Sequence, residues 1–267
     1  MKFTKSVILL IFTLSVTSTY AQDLYVNSTA GDDNWDGTSA TYDGGTVGPK
    51  ASITAAINVA SEEDVISITA GDYTAENITI AETIRLVATN YSGSSIVKVG
   101  NLLVNGTGKT VSIGESGSGT FEFADLNLAD GDLIIGDGAV ELTGTDITRT
   151  DGTLTGAPSF PAAVNVTYNG STNVTAGDEL PTSTNGTLTI NLNTANNDTL
   201  TLNDNITVNG LSLNAGNIAG GIALTNTGTG TVTVPNGSSM EATYISDGGL
   251  SLSDNSSITG DINVDAD

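Results

Sequence analysis

The 267-residue sequence has no cysteine and no histidine, and it is short of basic and aromatic side chains. Without cysteine there can be no disulfide, no thiolate nucleophile and no zinc ribbon. Without histidine the commonest general base is missing, and with it every Ser-His and Cys-His arrangement. Seven Lys and Arg stand against 30 Asp and Glu, a formal net charge of −23. That balance excludes nucleic acid as a natural partner, because displacing phosphate counterions needs a basic surface. It also disfavours an unaided grip on acidic polysaccharides or anionic lipid. Charged residues make up only 14% of the chain and hydrophobic ones 38%, which separates it from disordered polyanions.

Met1 to Ala21 reads as a secretory signal. Lys2 and Lys5 form the positive start, Val7 to Phe12 the apolar centre, and Thr19-Tyr20-Ala21 the small-residue cleavage site. The apolar run is shorter than the roughly 20 residues of a membrane-spanning helix, and no later stretch reaches that length. A chain beginning at Gln22 keeps five basic and all 30 acidic residues, a net charge of −25. The expected location is secreted or at the cell surface. With no cysteine in an oxidising compartment, stability has to come from burial and backbone pairing.

Residues 22–80 read as an N-terminal cap and first coils, and residues 81–267 as strand repeats. After Ala81 the sequence alternates apolar and polar residues in short bursts separated by Gly, Asn, Asp and Ser, as in Thr83-Ile84-Arg85-Leu86-Val87. Helical periodicity occurs only at Ser52 to Ala60, where Ile53, Ala56, Ile57 and Ala60 share a face and Ser52 is placed to cap it. Similar strand units recur with first apolar residues Leu188, Leu200, Leu211, Ile222 and Val232, in steps of 12, 11, 11 and 10. Two steps make about 22 residues, a solenoid-sized repeat. The expected fold is all-β, a right-handed parallel β-helix with a short N-terminal capping helix. A β-sandwich is the rival, with hairpins at turns such as Asn209-Gly210. Scarce aromatics (5%) fit a thin aliphatic core better than a wide two-sheet one. Gly156 to Ala163, with Pro158 and Pro161, interrupts the pattern as a protruding loop or a seam between coil segments.

Tyr25-Val26, Gly31-Asp32-Asp33-Asn34-Trp35-Asp36-Gly37, Pro49, Ile53, Ala56-Ile57, Ala60, Asp64 to Ile68 and Ala70 to Thr74 together resemble the opening of secreted β-helix proteins of the pectate-lyase-like superfamily. That resemblance covers about a fifth of the chain and implies a strand, a polar loop, a capping helix and first coils. Gly131 to Ala139, Ile147 to Thr150, Tyr168 to Gly177 and Leu180 to Ser183 resemble strand-repeat surface proteins of Bacteroidota. Such proteins are commonly long, exported and finished by a sorting domain. The pattern is unfinished at Asp267, so the expectation is the N-terminal part of a longer protein.

The best chemical motif is Asp32-Asp33-Asn34-Trp35-Asp36-Gly37. Positions 1, 3, 5 and 12 of a calcium loop fall on Asp32, Asn34, Asp36 and Asp43, with Asp where the usual pattern has Glu. An ordinary Asx-rich turn is the competing account. Trp35 and Tyr42 either stack on sugar rings or cover the core's end. Asp130, Asp132 and Asp137 form a carboxylate patch or a solvated face. Lyases on this fold use a Lys or Arg base, for which Lys98 and Lys109 are the candidates. Lone lysines on exposed strands more often protect edges. No catalytic residue is assigned. The function expected is a non-catalytic exported surface or structural protein, meeting extracellular glycans or surface components. The alternative is the N-terminal part of a calcium-dependent polysaccharide lyase or glycan-binding β-helix protein.

Overall fold

The structure is a computed structural model describing residues 21–89, 96–115 and 119–264. The expected signal segment up to Tyr20 lies outside the described residues. From Asp64 onward the chain winds as a parallel β-helix of about nine turns. At a rung spacing of about 4.8 Å this makes a rod ~43 Å long.

Each turn has three sides. In the first, Asp64–Thr69, Gly71–Tyr73 and Ile78–Ile80 form what we call the first, second and third faces. Ile84–Thr89, Ile96–Val99 and the opening of Leu102–Ile113 repeat them in the next turn. The ladders between consecutive turns are parallel. Period-two alternation gives each strand an inward and an outward row, and parallel register stacks the inward rows into columns. On the third face Ile78 sits under Leu102, then Leu126, Ile147, Val166, Leu188 and Leu211. On the first face Leu24, Ile66, Leu86, Ile113 and Ile135 stack likewise. These residues are buried, each contributing about 1.5–3 kcal/mol.

The expected pitch is correct, but the eleven-residue beat passes over one side of the prism. Leu188 and Leu211 are third-face partners one turn apart, and Leu200 lies on the first face opposite Ile218. Between them Ile206–Ala215 runs as a single strand over two faces. Its opening Ile206-Thr207-Val208 pairs with Leu224-Thr225-Asn226, a second-face row the beat leaves out. Ile222 falls in a turn just before Ala223–Asn226. Asn209-Gly210 bends this strand around a corner and closes no hairpin.

A side-chain ladder follows one corner. Asn77 Oδ1 accepts from Asn101 N at 2.9 Å, and Asn101 Oδ1 from Asp125 N at 3.3 Å. Asp125 Oδ1 accepts from Thr145 N and Asp146 N, both at 3.1 Å. Asp146 Oδ1 then accepts from Asn165 Nδ2, and Asn165 Oδ1 from Thr187 N. Asn77, Asn101 and Asp125 directly precede third-face strands and Asp146 and Asn165 open them, at the corner where the backbone enters the ladder and leaves an N–H to be satisfied.

Gly156 to Ala163 lies at a seam. Before it, Leu102–Ile113 and Leu126–Ile135 run continuously from the third face onto the first. After it, Ser183–Leu192 and Ile206–Ala215 run from the second onto the third. First-face strands before the seam belong to the 14-stranded sheet, whereas Val174–Thr175 starts a separate 5-stranded one. The third-face ladder alone crosses without a break, through Asp146–Arg149, Asn165–Gly170 and Ser183–Leu192. Gly156 turns the chain at φ +81°, with room for no side chain: a Cβ there would sit 2.4 Å from Ile135 O.

Candidate functional site

The Asp32–Asp43 loop joins the first strand, Asp23–Val26, to the helix Ile53–Ile57. Asp32 Oδ1 accepts from Asn34 N at 2.9 Å and Asn34 Nδ2 at 2.8 Å. Asp36 Oδ1 accepts from Thr38 N and Oγ1, both at 2.9 Å. The Thr38 backbone bond holds the Asp36 carboxyl below its ordinary value. Asp43 accepts from Ser39 Oγ at 2.8 Å and Thr41 Oγ1 at 3.3 Å. The four expected calcium ligands thus share a loop, with each carboxylate serving its own turn. Among the described residues no three Asp, Glu, His or Cys side chains gather at metal-binding separation.

Asp33, the acidic residue of this motif outside the expected ligand set, fastens the cap. Its Oδ1 accepts from Ala51 N and Ser52 N at 2.8 and 2.9 Å, and its Oδ2 from Ser52 Oγ at 2.9 Å. Glu76 accepts from Ile53 N, Thr54 N and Thr54 Oγ1. Ser52 caps as expected, accepting from Ala55 N at 3.1 Å. Two carboxylates and a hydroxyl therefore satisfy the helix's free N–H groups and tie the helix to the loop and first turn. Trp35 stacks on Tyr42, ring centroids 4.7 Å apart. Gly48 lies against the Trp35 ring so closely that a Cβ would come within 2.4 Å of it. Tyr42 remains 57% exposed, so the pair has one ring open to solvent.

Each basic residue after Ala21 is committed to a partner. Lys50 Nζ donates to Asp33 O at 3.0 Å, and Arg85 pairs with Glu115 at 3.0 Å. Lys98 occupies an outward row on the second face, in register with Asp72, Glu122 and then Glu141. Its Nζ lies 3.0 Å from Glu122 Oε2, and that hydrogen bond raises the lysine above its ordinary value. Lys109 pairs with Glu62 and, at 3.6 Å, with Glu82. The Glu62 bond raises Lys109 and pulls the Glu62 carboxyl down to about 2. A general base must be neutral to take a proton, so these ion pairs oppose that role in both lysines. Asp130 and Asp132 accept from Thr107 Oγ1 and Thr153 Oγ1 on neighbouring turns.

Sequence reading missed a cluster inside the coil. On the third face the inward row reads Ile80, Val104, Leu128, Arg149, Tyr168, Ile190, Leu213. An arginine and a tyrosine thus take aliphatic places at the seam. Arg149 Nη1 donates to Glu179 Oε1 at 2.5 Å and Thr175 O at 2.9 Å, and Nε to Gly152 O at 2.6 Å. Tyr168 OH donates to Glu179 Oε1 at 2.8 Å, and Gly177 N to the same atom at 3.0 Å. Glu179 and Tyr168 are fully buried, and Arg149 is 8% exposed. Burial, followed by the neighbouring Glu179 charge, pushes the Tyr168 phenol well above its ordinary value. Glu179 Oε2 is buried without a partner among the described residues. The available signal was the phase of Ile147-Thr148-Arg149-Thr150: if Ile147 points inward, Arg149 must as well.

Comparison with protein-family models, curated proteins and solved structures gave no match. The chain is therefore placed by its architecture, as a parallel β-helix.

Proposed function

We propose that this chain is a non-catalytic exported β-helix, serving at the cell surface as a stalk, adhesin or layer component. The observation that carries the reading is the outward row of the third face, Thr79, Leu103, Asn127, Thr148, Thr167, Thr189 and Ser212. No charge stands in that row, in a chain of net charge −23. Leu103 apart, the row repeats hydroxyl and amide groups at the rung spacing, which suits a rod that displays hydrogen-bonding groups to neutral surface components, extracellular glycans among them. The commitment of Lys98 and Lys109 to carboxylates supports the absence of lyase chemistry. The resemblance of the cap to pectate-lyase-like proteins, and of the repeats to Bacteroidota surface proteins, belongs to this reading. So does export through Met1 to Ala21, which N-terminal sequencing of the secreted chain tests by starting at Gln22.

Incubation with polygalacturonate and calcium, followed by absorbance of unsaturated products, tests the non-catalytic reading. No turnover is expected. Turnover that disappears in Lys98→Ala would contradict it and favour the lyase alternative.

Calcium at Asp32, Asn34, Asp36 and Asp43 is a second reading, supported by the placement of all four on the exposed loop that fastens the cap. Its use would be to stiffen that loop, with Trp35 and Tyr42 beside it for a sugar ring. Calorimetry with calcium chloride on native chain and Asp36→Ala decides it: heat lost in the variant supports the site, and equal heats remove it.

A further inference from the structure

We propose that Arg149, Glu179 and Tyr168 form a register key, a buried polar cluster that fixes which turn stacks on which across the seam. The inference goes beyond the surface role proposed above and stands on the coil geometry alone.

The need for such a key follows from the repetition that builds the rod. Most inward positions are aliphatic turn after turn, so hydrophobic burial barely distinguishes a strand laid on its proper neighbour from one laid a turn further on. In the turns up to Ala215, the seam apart, two-face strands or several ladders per turn add up to one register. At the seam those aids lapse together: the long strands change corner, and no first-face ladder joins Thr153–Thr155 to Val174–Thr175. The second face is joined there by a single bridge, Glu141 to Ser159. The one uninterrupted ladder is the third-face one, and its inward row carries Arg149 and Tyr168.

The correct stack brings together groups far apart in sequence. Arg149 meets Glu179 and Thr175 O, 30 and 26 positions away, and Tyr168 meets Glu179 across 11. A slip by one turn sets Arg149 against Ile190, the present partner of Tyr168. It also leaves the buried Glu179 carboxylate without a cation. An unpaired charge in a dry interior is penalised far more than a missing aliphatic contact. Discrimination comes from the penalty on wrong stacks, not from the strength of the right one. The native cluster is itself imperfect, since Glu179 Oε2 has no partner among the described residues, whereas a cluster serving stability alone would be better served by aliphatic side chains.

The experiment refolds the native chain and the triple variant Arg149→Met/Tyr168→Phe/Glu179→Leu from urea. Hydrogen-exchange mass spectrometry then follows peptides covering Asp146–Arg149, Asn165–Gly170 and Ser183–Leu192. The native chain is expected to give one mass envelope per peptide. The triple variant is expected to fold and to give two or more envelopes in these peptides, while Ile66–Ile68 peptides stay single. A triple variant that returns one envelope with native refolding yield overturns the proposal. One that does not fold overturns it as well, since it makes the cluster a stability element. As a second arm, Thr167→Cys/Thr189→Cys, added to the triple variant, marks a correct third-face neighbour pair. It should oxidise incompletely there and fully in the native background; full oxidation in both overturns the proposal.

Discussion

Arg149 shows how much depends on one residue's phase along a strand. Replacing it alone, as Arg149→Met, leaves the buried Glu179 side chain with Tyr168 and Gly177 as its donors among the described residues and no cation beside it. The expected cost is about 3–5 kcal/mol, read as a lower urea midpoint. Tyr168 adds an alkaline signature. Its phenol is raised, so the folded chain holds that proton more tightly than the unfolded one. The resulting stability is present below the unfolded value of about 10 and is lost as pH climbs beyond it. Unfolding midpoints followed upward through that range should fall less in Tyr168→Phe than in the native chain. Glu62 works in the opposite sense: its carboxyl is lowered from 4.5 to about 2, so its contribution is present above 4.5 and is lost as pH falls toward 2. NMR titration should place Glu62 near 2 in the native chain and move it back toward 4.5 in Lys109→Ala.

At the scale of single elements, the strands were legible from period-two alternation because inward and outward rows differ in chemistry all along the coil. The helix at Ile53–Ile57 was legible for the same reason, its buried residues Ile53 and Ala56 following the cap Ser52. The number of sides was not, because the Asn-Gly signals inside Ser183–Leu192 and Ile206–Ala215 mark a corner that one strand rounds, where the sequence pattern equally suits a turn between two strands. The corner ladder also went unread. Asn and Asp signal turns in general, and only the fold reveals that Asn77, Asn101, Asp125, Asp146 and Asn165 serve successive turns at one corner. Asp125→Ala removes the acceptor for two backbone N–H groups and should cost about 1–2 kcal/mol. The urea midpoint should drop with the slope unchanged, since the surface exposed on unfolding stays the same. At the cap, the acidic motif was read for its calcium spacing, while the hydrogen bonds assign Asp33 the fastening role. Nothing in the spacing separates Asp33 from Asp32, because which one reaches Ala51 and Ser52 depends on the loop's path.

As a whole molecule the chain is a thin prism in which each turn rests on the one before. Its stability is then close to a sum of turn and neighbour terms, and the seam is where the neighbour terms are fewest. The account depends on sequence-distant strands lying side by side while consecutive ones lie on different faces. The absence of cysteine makes a direct test simple. Thr167 and Thr189 are registered third-face neighbours, and Thr201 belongs to the first face. The measurement is disulfide formation under mild oxidation in Thr167→Cys/Thr189→Cys and in Thr189→Cys/Thr201→Cys. Parallel neighbours on adjoining rungs have Cα atoms about 5 Å apart, within disulfide reach. The parallel coil predicts an intramolecular bond in the first pair and none in the second. A bond in the second pair without one in the first would put consecutive strands side by side, as in a hairpin sandwich, and would contradict the coil.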